Sequence, residues 1–139
     1  MEQKDLKQYL LKEIELIQEI IKRMAFNSFM IKGWAVTLVV VTLLVRGAEK
    51  MVWVAFVPLV VFWFLDAYFL HQERMYRKLY EWVIANRLRT DEHLLDMNAY
   101  RFKGEVPSRL RTMFSLTLIW FYGSMVVLVG VYLALQFLL

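Results

Sequence analysis

Residues Met113 to Leu139 read MFSLTLIWFYGSMVVLVGVYLALQFLL, and this stretch decides the fold class: its 27 residues include no Asp, Glu, Lys or Arg. Crossing a bilayer's hydrocarbon core takes ~20 mostly apolar residues of helix. A soluble core helix keeps a polar face over such a length. The stretch therefore reads as a transmembrane helix, and two further blocks share its pattern. Residues 29–45 carry one charge, Lys32, and residues 51–70 carry one, Asp66. The expectation is an all-α protein with three transmembrane helices, at 29–45, 51–70 and 113–139.

Composition agrees. The chain has 139 residues, of which 60% are hydrophobic and 22% charged, against roughly 45–50% apolar in soluble domains. That length bounds it to a single membrane domain, 1–139. The absence of cysteine excludes disulfides and thiolate chemistry, and two histidines leave little for a metal centre. There is no Walker loop, G-x-G-x-x-G, H-E-x-x-H or G-x-S-x-G. No catalytic residue, metal site or cofactor is expected, and no enzyme.

Charged sequence precedes the first block and no small-residue cleavage pattern follows it, so it reads as an uncleaved span rather than a signal peptide. Orientation then follows Lys and Arg. Lys4, Lys7, Lys12, Lys22 and Arg23 precede the first span. Arg74, Arg77, Lys78, Arg87, Arg89, Arg101, Lys103, Arg109 and Arg111 separate the second and third, while the short turn holds Arg46 and Lys50. Fourteen cations against two predict a cytoplasmic N-terminus and an outside C-terminus.

The flanking segments are helical in pattern. Residues 5–26 read as an amphipathic cytosolic helix, with Leu6, Leu10, Ile14, Ile17, Ile21 and Met24 on one stripe. Residues 71–89 read as a cytosolic extension of the second span, with Glu73, Arg77 and Glu81 at i, i+4 spacing opposite Met75, Leu79, Trp82 and Val83. Together with the spans they suggest an antiparallel hairpin with a cytosolic stalk. Residues 90–112, punctuated by Gly104 and Pro107, read as an irregular connection.

Four constellations carry candidate function. Lys32 and Asp66 are equidistant from a turn centred near Ala48 and Glu49, so an antiparallel hairpin brings them to one depth. A membrane charge costs ~2.5–3.5 kcal/mol on insertion scales, which favours pairing. The pair reads as a structural tie, as a lysine snorkelling to the interface, or as an intramembrane gate. Pro58 falls within the second span, where loss of its amide bond predicts a kink and a candidate hinge. Gly123, Gly130 and Ala134 form a small-residue stripe suited to packing within or between chains. Lastly, Arg74, Arg77, Lys78, Arg101, Lys103, Arg109 and Arg111 interleave with Tyr76, Tyr80 and Trp82. Cations hold phosphate and aromatic faces stack bases, so these form a candidate nucleotide, oligonucleotide or lipid-phosphate site. Residues 71–112 carry a net charge of only +3, so tight polyanion binding calls for a homo-oligomer, about +12 in four copies.

The strings N-S-F-M-I-K-G-W (Asn27 to Trp34) and F-W-F-L-D-A-Y-F-L-H-Q-E-R (Phe62 to Arg74) resemble small bacterial multi-pass proteins of anti-phage defence loci, the Hailong-type membrane effectors. The resemblance spans roughly residues 15–80. It implies an oligomeric ion channel whose opening arrests the infected cell. It also implies a nucleotide-derived ligand holding the channel shut, and a nucleotidyltransferase partner in the same operon. From the residues alone, a non-conducting anchor that recruits a cytosolic partner through Leu6, Ile14, Ile17 and Ile21 stands beside the channel.

Overall fold

The computed structural model describes residues 1–45 and 53–139, and within them every regular element is helical. Helix α1 spans Gln3–Leu44, 42 residues without a break. It contains no proline, Gly33 is its one glycine, and Asp5 in its first turn meets the positive end of the helix dipole. The segment 5–26 and the span 29–45 are thus one helix.

A 3-10 turn at 53–55 leads into α2, Phe56–Asn86. The expected turn near Ala48 and Glu49, with Arg46, Lys50 and the span's first two residues, lies outside the described residues. Pro58 corrects an expectation. It occupies the first turn of α2, not the helix middle. A first-turn amide has no intrahelical partner to lose, so proline there begins a helix without kinking it, and no hinge is built at Pro58.

Helix α2 ends at Asn86, whose side-chain amide turns back onto the Trp82 carbonyl at 2.9 Å. The expected extension to Arg89 is a turn over residues 87–89 in place of helix, tightened by the Arg89 amide closing onto the Asn86 carbonyl at 2.9 Å. A 3-10 helix follows at Ala99–Glu105, started by Asn98, whose side chain accepts from the Tyr100 amide. It stops at Val106, which is extended (φ −123°) as residues before proline prefer. Helix α3, Arg109–Met113, is short, and α4 covers Leu116–Leu138. The third span accordingly starts three residues later than the sequence suggests, because Ser115 is extended (φ −64°, ψ 154°) and separates α3 from α4.

Three helical segments, Gln3–Leu44, Trp53–Asn86 and Leu116–Leu138, are long and apolar enough to cross a membrane. The chain divides into two compact units. The first comprises Met1–Phe26 and Phe69–Ser108, the second Asn27–Tyr68 and Arg109–Leu139. In the first, Ile17 and Ile21 of α1 pack against Met75, Leu79 and Val83 of α2, with Ala99 and Phe102 of the 3-10 helix completing the core. In the second, the inward rows are Ile31, Ala35 and Val39 on α1, Leu59 and Ala67 on α2, and Leu118, Tyr122, Met125, Val129 and Leu133 on α4. The rows on α1 and α4 advance by three or four residues. The outward faces are apolar as well: Phe29, Trp34, Trp120 and Phe137 are exposed while Asp66 is fully buried. Charge inside and hydrocarbon outside inverts the soluble pattern and is compatible with a membrane environment.

Candidate functional site

The second unit is built around one carboxylate. Asp66, on α2, has no exposed surface. Its Oδ2 accepts from Lys32 Nζ of α1 at 2.6 Å and from the Tyr122 hydroxyl of α4 at 2.9 Å. Its Oδ1 accepts from the Ser28 hydroxyl, and Lys32 Nζ also donates to Ser28 Oγ at 2.8 Å. Ser28 and Lys32 are one turn apart on α1, so a single helix face delivers both. All three long helices therefore meet at Asp66.

Aromatic side chains fix the geometry. The Trp63 ring stacks on Tyr122 (centroids 5.8 Å apart, planes 6° apart), and its indole N–H donates to the Met113 carbonyl at 2.7 Å. Phe121 lies edge-on to Tyr122 and places its ring 5.9 Å from Lys32 Nζ. The Lys32 side chain keeps 23% of its surface while Asp66 keeps none. The lysine is thus the partly exposed member of the pair. Of the sequence readings of these two residues, the pairing is the one this geometry carries; the lysine is not extended away from the carboxylate.

The stripe of Gly123, Gly130 and Ala134 faces outward. A Cβ added at either glycine meets nothing within 4 Å, and Ala134 is exposed.

The basic residues are dispersed. Arg74, Arg77, Lys78, Arg101 and Lys103 belong to the first unit, Arg109 and Arg111 to the second. The exposed Arg77 pairs with the buried Glu73 at 2.7 Å, and Lys78 pairs with Glu81 at 3.4 Å at the surface. The Arg101 guanidinium lies 4.6 Å from the Trp82 ring centre and 4.9 Å from that of Phe102. Arg109 lies over Tyr68. Tyr76, Tyr80 and Trp82 pack against the first unit's core. The stacking role expected of Trp82 needs correction, because Arg101 covers its ring and His93 meets it edge-on.

The sequence also hid a buried clasp. Glu13 and Arg87 are both essentially inaccessible, joined through Nε–Oε2 at 2.6 Å and Nη2–Oε1 at 2.9 Å. Arg87 donates further to the carbonyls of Thr90, Glu92 and His93, so all five of its N–H groups are used. Glu13 accepts in addition from the Leu95 amide at 2.8 Å. His93 and Leu95 have φ of 55° and 53°, left-handed values that cost a non-glycine residue roughly 1–2 kcal/mol. The clasp holds the chain in that conformation. No family model, curated protein or solved structure matches this chain.

Proposed function

We propose that the chain is the subunit of an ion channel or pore, assembled from several copies in the bacterial inner membrane. Its N-terminus lies in the cytoplasm and its C-terminus outside. An anionic nucleotide or oligonucleotide on the basic cytosolic residues controls opening. The resemblance of Asn27–Trp34 and Phe62–Arg74 to defence effectors makes anti-phage defence the setting, with a neighbouring nucleotidyltransferase as the source of the ligand.

One observation carries the reading: Asp66 of α2 is fully buried among apolar helices, paired with the partly exposed Lys32 of α1 and bonded by Tyr122 of α4. A tie between helices needs no charge, since well-packed apolar residues replace buried ion pairs with little or no loss of stability. Ionisable residues inside spanning segments are functional-site candidates by default: besides pairing with one another, they line ion pathways and relays. The open face of Gly123 and Gly130 supports close approach of a neighbouring copy. An anchor is less well supported, because Leu6, Ile17 and Ile21, which would dock its partner, are buried in the first unit.

The test is electrical. Purified protein reconstituted in a planar bilayer is expected to pass discrete currents that Lys32→Leu and Asp66→Leu alter in size or open time. An assembled particle that passes no current, with or without oligonucleotide, overturns the channel.

A further inference from the structure

We propose that the oxygen cluster at Asp66 is a monovalent-cation site and that the Lys32 ammonium is its built-in occupant. The Lys32 Nζ is held by Asp66 Oδ2 at 2.6 Å and Ser28 Oγ at 2.8 Å, beside the Tyr122 hydroxyl, which bonds the same carboxylate oxygen at 2.9 Å. A primary ammonium and a potassium ion are of similar size and charge, and both seek hard oxygen ligands. Hydroxyls carry lone pairs as well as a proton, so Ser28 and Tyr122 serve a cation by rotating the O–H away from it. Phe121 adds a ring face 5.9 Å from Nζ.

Charge selects the ion class. Asp66 is the one carboxylate bonded in this cluster. With the ammonium withdrawn the site carries one negative charge. A monovalent cation makes it neutral, whereas a divalent ion leaves an excess positive charge away from water, at a cost of several kcal/mol. Withdrawal is built into the side chain: four rotatable methylenes link the ammonium to a helix, and the Lys32 side chain is partly exposed where Asp66 is wholly buried. The lysine is thus a tethered plug, in competition with sodium or potassium for the same oxygens. This inference names the ion for the channel proposed above and rests on that reading for its role in conduction, while the site itself stands on geometry.

The experiment is thermal unfolding of the full chain in detergent at constant ionic strength, with sodium or potassium chloride exchanged for N-methyl-glucamine chloride. Lys32→Met and Lys32→Ser are expected to unfold about 3–6 °C higher in sodium or potassium at concentrations about tenfold above the dissociation constant. The wild type, already plugged, is expected to show no such shift. Adding Asp66→Asn to either variant should abolish it. Equal unfolding of both Lys32 variants in all three salts overturns the site, as does failure of both to fold in any of them. Lys32 variants that gain stability from sodium or potassium, in a protein that passes no current, remove the channel and keep the site. A conducting protein whose Lys32 variants unfold alike in all three salts removes the site and keeps the channel.

Discussion

Tyr122 donates its hydroxyl to Asp66 Oδ2 at 2.9 Å, tying α4 to the oxygen that also receives the Lys32 ammonium. The Tyr122 ring is separately held by stacking on Trp63. Tyr122→Phe therefore removes one donor and leaves the packing in place. The expected loss is about 1–2 kcal/mol, that of one charge-assisted hydrogen bond in a dry site. Thermal unfolding in detergent checks it. An unfolding temperature unchanged from the wild type would mean the hydroxyl contributes nothing to the pair.

The two charges differ in exposure, and the difference predicts an asymmetry. Lys32→Leu leaves Asp66 wholly buried with no counter-ion. Asp66→Leu leaves a lysine that is already 23% exposed and long enough to reach polar surroundings. The first change should be the more damaging in buffer free of sodium and potassium, and the double change Lys32→Leu with Asp66→Leu should recover most of the lost stability. Exchanging the charges, Lys32→Asp with Asp66→Lys, should recover part of it. Silent single variants in an unfolding assay would show that the pair contributes nothing to folding.

The Glu13–Arg87 clasp is expected to control the order of residues 90–96. Arg87→Met strands a buried carboxylate and frees three carbonyls, at a cost of about 3–5 kcal/mol. Glu13→Leu together with Arg87→Met should restore much of the global stability, yet leave the loop open, because nothing then holds the carbonyls of Thr90, Glu92 and His93. Amide exchange and limited proteolysis at residues 90–96 distinguish the two effects. Loop protection unchanged in the double variant would assign its order to the backbone alone.

The class of the fold and the main pair were legible because each depends on a strong local signal. Spans announce themselves through uninterrupted apolar length, and two lone opposite charges in adjacent spans announce each other by depth. The clasp was not legible by charge, but position offered a clue. Glu13 falls between Leu6 and Ile17 on α1 in the buried row, and Arg87 continues the row of Met75, Leu79 and Val83 at four-residue steps. Reading Ile14 into that row instead of Glu13 conceals the pair: Glu13 is buried and Ile14 only half-buried. Tyr122 belongs likewise to the inward row of α4, between Leu118 and Met125, and Ser28 stands one turn before Lys32. Trp82 was misread because an aromatic among arginines looks alike whether it awaits a base or already holds a guanidinium.

The cations left at the surface make the last prediction narrower than composition suggests. Lys78 is engaged with Glu81 in an exposed pair, which contributes little and leaves the ammonium open to a phosphate. Arg77 keeps an exposed guanidinium beside the buried Glu73. Arg74, Arg77 and Lys78 lie within four residues of α2, on one side of the helix. An assembled particle is expected to bind short single-stranded oligonucleotides. If these three cations each meet a phosphate, the logarithm of affinity should fall with that of salt at a slope of about −2 per chain. Reversing all three to Glu should remove most of that slope and, where the ligand holds a channel shut, make the protein toxic to its host. Trp82→Leu should behave differently. Its ring packs against the first unit's core and carries Arg101, so the change should lower unfolding temperature before it alters binding. Fluorescence anisotropy across a salt series, run beside thermal unfolding of each variant, separates the two. Binding that ignores salt, or that survives reversal of Arg74, Arg77 and Lys78, would remove these residues as the phosphate site.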